Sequence, residues 1–316
     1  MNYVVFDLEW NQCPYGKDFE NPRLPLEIIE IGAIKLDAQK EYVDTFHALI
    51  RPTVYKKLHF QTSRVIGIRE EDLRKGRPFR EVVKEFLAWC GSDVRFCTWG
   101  TLDLMELQRN LAYYRMGNLL PGPILYEDVQ KLFAIAYETR KVRRALSYAV
   151  DFLELPEDGG FHFAREDAAY TARVLQRIPD EVIRDNYSID CFRNPKSREE
   201  EIHLRYPDYE KFISREFSSK EELMASDVAE MTCFTCGKKI RRKIRYFSDG
   251  GGRNHLGVGL CPEHGYVKSK IRVREAADGK FYAIRTTKHI GEEEMLDIRK
   301  KQAFLRLKRQ NRRRKS

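Results

Sequence analysis

The sequence has no uninterrupted apolar run of about 18 residues, the length that marks a membrane span, anywhere in its 316 positions. It also lacks a basic start followed by a long apolar core, so its beginning does not read as a secretory leader. Cysteine is sparse: the seven residues are scattered, which excludes a disulfide scaffold and makes a reducing, cytoplasmic setting the expectation. Internal repeats are lacking too. With membranes and disulfide frameworks set aside, 42% hydrophobic content is enough for a sizeable core in one or two domains.

Acid is missing from one end. Residues 299–316 contain ten Lys and Arg and no Asp or Glu. The net charge of +9 is concentrated in this half: residues 1–180 hold 25 Lys and Arg against 27 Asp and Glu, while residues 181–316 hold 32 against 21. Such a tail suits an electrostatic grip on phosphates; the alternative is a solubilising, disordered end.

Apolar and β-branched content makes residues 3–9 a strand, with 27–36 (EIIEIGAIKL) and 42–50 (YVDTFHALI) the next two, spaced as in an antiparallel meander. A helix is expected over 79–90, where Val82, Val83, Phe86 and Leu87 share a face, then a strand at 93–98 and a helix at 101–116. A fifth strand at 124–126 and helices at 128–138, 144–153 and 164–177 complete the set. Three strands followed by alternating helices and strands make a mixed α/β sheet with helices on its faces. The division expected is 1–180 as the main domain, 181–228 as a connector with short helices, 229–290 as a small β-rich domain, and 291–316 as a helix and basic tail.

FDLEW puts Asp7 and Glu9 two residues apart at the end of the first strand, where alternation points both side chains to one face. Adjacent anions repel unless a cation lies between them. Hard cations such as Mg²⁺ take oxygen ligands, often one or two carboxylates plus substrate phosphates. A solvated strand end is the plain alternative. CTWGTLDLMEL places Asp103 just inside a helix after the fourth strand, a position the helix macrodipole alone also favours for an acid. In GGFHFAREDAAYTARVL, His162 and Asp167 are five apart, about 140° round a helix. They face one cleft only if His162 precedes the helix and Asp167 lies in its first turns. Singly each suits a structural role; four acids and a histidine in such settings make coincidence a poor explanation.

On these residues the chain resembles the DEDDh branch of the 3′→5′ exonucleases over about residues 1–180. FDLEW, TWGTLDLMEL and HFAREDAAYTA, with its H-x4-D spacing, match the three motifs, and EIIEIGAIKL, FHALIRP and VIGIREEDL resemble the segments between them. The W-G-x-x-D form of the second motif is similar to the histone-mRNA and RNA-interference type of exoribonuclease. The resemblance implies an RNase H-like fold, a mixed five-stranded sheet flanked by helices. It implies that Asp7, Glu9, Asp103 and Asp167 hold two Mg²⁺ or Mn²⁺ ions, with His162 as general base, and that nucleoside 5′-monophosphates are released from a 3′ end. Trp10 departs from the pattern, where many relatives carry a small residue or threonine. Trp10 or Phe161 can stack on a base, worth ~1–3 kcal/mol, or Trp10 can anchor the core. Glu30 is weighed as a supporting acid and set down as a surface or helix-facing position, and His47 and His59 as ordinary.

Cys233 and Cys236 form C-x2-C, Cys261 and His264 form C-x2-H, and 24 residues separate the pairs. This spacing suits one tetrahedral, structural Zn²⁺ in a zinc-ribbon-like module, with buried thiols by chance, or His255 in place of His264, as rivals. Basic and aromatic residues interleave in GKKIRRKIRYF, where Lys238, Lys239, Arg241, Arg242, Lys243 and Arg245 suit a nucleic-acid contact or an edge strand protected by charge. The reading is a two-metal exonuclease on RNA 3′ ends with an appended nucleic-acid module. The alternatives are the same chemistry on single-stranded DNA, and a non-catalytic nucleic-acid-binding protein on a nuclease scaffold.

Overall fold

The computed structural model describes residues 1–316 except 66, 140–141, 158, 162, 250–251, 277 and 314–316. The chain divides into two units, Met1–Arg193 and Asn194–Ser316. Among the described residues no helix is long and apolar enough to cross a membrane.

In the first unit β1 (Asn2–Gln12), β2 (Leu26–Leu36) and β3 (Tyr42–Leu49) form the expected antiparallel meander. Two short helices, α1 (Phe60–Val65) and α2 (Glu70–Lys75), lead to α3 (Phe79–Cys90), which buries Phe79, Val82, Val83, Phe86 and Cys90 on one face. Then come β4 (Val94–Thr98), α4 (Leu102–Tyr113), β5 (Ile124–Asp128), α5 (Val129–Tyr137), α6 (Leu146–Phe152), α7 (Ala164–Arg177), α8 (Asp180–Asp185) and β6 (Ser188–Asp190). The sheet order is β3-β2-β1-β4-β5-β6, with β4 and β5 parallel to β1 and the rest antiparallel. It is thus six-stranded rather than five-stranded: three residues from the supposed connector add a short antiparallel edge.

β1 feeds both cores by simple alternation. Val4, Phe6 and Leu8 pack with α3 and α4 residues such as Phe86 and Leu107, while Val5 packs with α5 and α7 residues such as Phe133 and Val174. Asp7 and Glu9 continue the odd-numbered set, so they leave β1 on the face that α7 covers. Gly32 of β2 lies opposite Asp7, and a Cβ there would meet the backbone of Ala164 and Arg165 at 2.2 Å. Only a residue without a side chain lets the first turn of α7 come this close to the sheet.

The second unit corrects the reading of residues 181–228 as a connector with short helices. β7 (Ile202–Arg205) and β8 (Tyr209–Ile213) are strands of a six-stranded antiparallel sheet, and α9 (Lys220–Ala225) follows them. β9 (Arg241–Ser248), β10 (Asn254–Cys261), β11 (Gly265–Glu275) and β12 (Phe281–Ile290) complete the order β7-β8-β12-β11-β10-β9. One face packs Phe212, Ile271, Val273 and Ala283 with Phe217, Leu223 and Val228; the other packs Ile244, Phe247, Leu256 and Val258 with Met295 and Ile298 of α10 (Glu292–Arg313). The basic end of the chain is therefore largely helical.

The close approach at Gly32 gives the first prediction. Gly32→Ala should lower unfolding stability by about 1–3 kcal/mol, the usual cost of overpacking, measured by urea denaturation; an unchanged midpoint contradicts the tight seating of α7.

Candidate active site and metal centres

Three elements converge where β1 leaves the core. Asp7 and Glu9 come from β1 and Asp167 from the first turn of α7, and their carboxylate oxygens lie within 4.8 Å of one another. Asp103 stands beside this trio rather than in it. It lies in the first turn of α4, is buried, and its Oδ1 accepts a hydrogen bond from the Leu8 amide at 3.3 Å. Directly after Glu9 the ladder with β2 slips by one residue, a bulge of the kind that re-aims side chains beside sites. Asn110 of α4 satisfies the neighbouring β2 backbone, accepting from the Ile28 amide at 3.1 Å and donating to the Leu26 carbonyl at 2.9 Å.

The electrostatics are those of crowded anions. Burial, then Asp103 and Asp167, push the Asp7 carboxyl well above the usual range. Burial, then Glu30 and Asp167, bring Glu9 to about 8. Asp103 is raised to about 7 by burial, against the Leu8 amide hydrogen bond that favours its anion. Acids so placed hold protons at neutral pH unless a cation compensates them. Clustered hard oxygen donors fit divalent Mg²⁺ or Mn²⁺. His162 lies outside the described residues.

Glu30 corrects its assignment as a surface or helix-facing position. It is buried, lies opposite Glu9 in the ladder, accepts from the Ala164 amide at 3.3 Å through Oε2, and bonds His47 Nε2 at 2.7 Å through Oε1. Glu30 thus ties β2 to the first turn of α7, three residues before Asp167, and His47 is its partner rather than an ordinary residue. Trp10 packs partly buried against the cluster that holds Leu8 and Ile28, and Phe161 packs on Tyr170 with ring centroids 4.8 Å apart. Both rings are partly buried.

In the second unit Cys233, Cys236, Cys261 and His264 bring their donor atoms within 4.8 Å of one another. Cys233 Sγ and Cys261 Sγ lie 3.7 and 3.6 Å from His264 Nδ1, and Cys236 Sγ lies 3.8 Å from Cys261 Sγ. A tetrahedral Zn²⁺ with Zn–S of about 2.3 Å and Zn–N of about 2.0–2.1 Å sets edges of roughly 3.8 Å between sulfurs and 3.6 Å between sulfur and nitrogen. The donor set therefore fits zinc. Each ligand pair is followed by a glycine with positive φ, Gly237 at 70° and Gly265 at 78°, which lets the chain turn back at once. Burial works against ionisation of Cys261, but hydrogen bonds from His264 and nearby amides outweigh it and bring the thiol down to about 6. His255, the rival ligand, sits within β10 opposite Ile271 and outside the cluster.

Of the basic run, Arg241, Arg242, Lys243 and Arg245 are exposed on β9, at the sheet's edge. Lys238 is paired with Glu263, and Lys239 with Glu230 at 2.8 Å.

Residues 4–175 match the exonuclease family RNase_T. The chain is similar to a PolC-type DNA polymerase III from Thermotoga petrophila, 30% identical over 198 residues, which are 56% of this chain and 13% of that protein. It is similar to 3′-5′ exoribonuclease 1 from Rattus norvegicus, 22% identical over 163 residues, 48% of this chain and 46% of that protein. The chain thus spans a small part of the polymerase and under half of the exoribonuclease. Among solved structures, the nuclease domain of 3′hExo, described as a DEDDh family member bound to rAMP, aligns with a TM-score of 0.49 and 22% identity, covering 60% of this chain and 96% of that one.

Glu30→Ala removes the acceptor from the Ala164 amide and from His47. The expected cost is about 1–3 kcal/mol of unfolding free energy, with faster hydrogen exchange at Ala164. Unchanged exchange there contradicts the tether.

Proposed function

The chain belongs to the exonuclease family, and from that premise we propose that it is a metal-dependent 3′→5′ exonuclease that trims RNA and releases nucleoside 5′-monophosphates. The observation that carries this reading is the convergence of Asp7, Glu9 and Asp167 beside the buried Asp103. These four acids would hold two Mg²⁺ or Mn²⁺ ions, which when bound lower the pKa of a water and neutralise charge on the attacked phosphate and the departing 3′-oxygen. The rest is supplied by the chain's own residues. β1 presents Asp7 and Glu9 on one face, and Gly32 and Glu30 hold the start of α7 so that Asp167 meets them. The Leu8 amide holds Asp103 toward the anionic form a hard cation requires. His162, in its H-x4-D motif, takes the proton of the attacking water on a ring nitrogen, a task suited to an unperturbed pKa of about 6.5.

The W-G-x-x-D motif and the exoribonuclease named among the relatives favour RNA. DNA is the second reading, favoured by the higher identity to a DNA polymerase. In the second unit, Cys233, Cys236, Cys261 and His264 take one structural Zn²⁺, since four protein ligands leave no open position. Arg241, Arg242, Lys243 and Arg245 are the members of the basic run left to meet nucleic acid; Lys238 and Lys239 are engaged with acids. No disulfide joins any of the seven cysteines, which leaves Cys233, Cys236 and Cys261 available to the metal.

With Mg²⁺, a 5′-labelled RNA oligonucleotide should shorten one nucleotide at a time, faster than a DNA of matched sequence. Asp7→Asn and His162→Ala should each slow trimming at least about 100-fold, in line with the loss of a general base or a metal ligand. Faster loss of DNA would overturn the choice of RNA, and full-rate trimming by Asp7→Asn would overturn the metal assignment. Purified protein should carry about one zinc per chain, as a single four-ligand site requires, and Cys233→Ser should lose it. A zinc-free wild type with its second unit folded refutes the site.

A further inference from the structure

The cations of the second unit do not all have the same surroundings. On β11, Lys268 pairs with Glu294, and nearby Lys301 of α10 pairs with Asp249 at 2.7 Å. Further along the same strand the pairing stops. Among the described residues, Arg253, Lys270, Arg272 and Arg274 make no ion pair, and both Arg272 and Arg274 are exposed. Lys270, Arg272 and Arg274 occupy alternate positions of β11, so their side chains share a face at intervals of about 6.8 Å. They meet Arg253 and the Asn254 side of β10 around a pocket of ≈ 240 Å³. A second pocket of ≈ 210 Å³ shares Arg253 and Arg274 with the first and adds Lys220 and one acid, Glu275. Like charges held this close repel. Lys270 shows it: burial, then Arg272, and further Lys268 and Lys301, lower its pKa against the pull of Asp249. The antiparallel sheet thus carries, away from the β9 run, a row of cations that make no ion pair among the described residues.

We propose that the pocket between the start of β10 and the end of β11, formed by Arg253, Lys270, Arg272 and Arg274, binds successive backbone phosphates of a single-stranded nucleic acid. The proposal rests on the reading of the chain as a nuclease and adds a strand-holding site to it. Guanidinium forks match phosphate oxygens two at a time, and the alternate spacing along β11 presents them in a line rather than as one cup. Such contacts hold a strand without reading its sequence. An inorganic phosphate ion offers the same oxygens but only one group, so length separates the two sources. An acidic polypeptide is the competing macromolecule, since guanidinium forks match carboxylates as well; the nuclease reading of the chain favours the phosphodiester.

The test is the salt dependence of binding by the full-length, zinc-containing protein, without Mg²⁺, to a fluorescent 20-nucleotide RNA. Removing one cation that neutralises a phosphate of a single strand should lower the slope of log affinity against log salt by about 0.7. Arg272→Ala with Arg274→Ala should therefore reduce that slope by about 1.4 and weaken binding at least about tenfold at low salt. Arg272→Lys with Arg274→Lys should keep the slope, which guards against misfolding as the cause. Removing two exposed lysines elsewhere, Lys75→Ala with Lys84→Ala, should leave affinity unchanged. Displacement of the RNA should need a far higher concentration of inorganic phosphate, per phosphate group, than of unlabelled RNA. An unchanged slope in the double alanine variant overturns the proposal, as does equal competition by inorganic phosphate or loss of polyglutamate binding with RNA binding intact. If the wild type neither binds nor trims RNA or DNA, the nuclease reading falls and this site with it; if it trims both normally and the slope does not move, only this site falls.

Discussion

Carboxylates packed into a few ångströms repel each other and lose hydration, and the first unit is organised around holding them together all the same. Asp7 and Glu9 cannot separate, because the alternation of β1 commits Val4, Phe6 and Leu8 to one core and therefore the odd positions to the other face. Asp167 cannot withdraw, because α7 rests on Gly32 and its first amide is held by Glu30. The ladder shifts by one residue after Glu9, and Asn110 clamps the β2 backbone opposite that shift at Ile28 and Leu26. Each device has a stability cost of its own, a buried acid, a glycine or an interrupted ladder. Together they make sense when the acids serve a cation and a phosphate.

The second unit applies the same principle with softer donors. Three thiols and an imidazole are spaced as the corners of a tetrahedral zinc site would be, on two turns closed by glycines. A ligand there would join the segment before β9 to the β10–β11 hairpin within the unit. The antiparallel sheet gives the arginines of β11 a fixed spacing.

Much of this is legible in the sequence where the governing interaction is local. The helices at 79–90 and 164–177 are read from clean amphipathic periods, and the shared face of Asp7 and Glu9 follows from strand alternation alone. The two metal-ligand knuckles are local as well, which is why their spacing points to one site. His264 rather than His255 joins the cysteines because His255 lies at the start of β10, whereas His264 follows Cys261 at its end. What escapes is set by distant partners. Glu30 looks like the polar half of an alternating strand, but it is buried because α7 covers β2, and it is satisfied by His47 and Ala164. Asn11, Glu27 and Asn110 are buried for the same reason: each serves backbone groups far along the chain, Asn11 those of Tyr55 and Lys57 and Glu27 the amides of Thr53 to Tyr55. β7 and β8 are short and polar, and they are strands because β7 pairs with β8 and β8 with β12.

The central claim is that the four acids at the end of β1 are a site for two divalent cations. Counting Mn²⁺ bound per chain by electron paramagnetic resonance, with wild type beside a variant carrying Asp7→Ala and Glu9→Ala, tests it most directly. About two Mn²⁺ should bind per wild-type chain, as a two-metal phosphoryl-transfer site requires, and be lost in the variant while it stays folded. Wild-type protein that binds no Mn²⁺, or a variant that binds as many ions as the wild type, would contradict it.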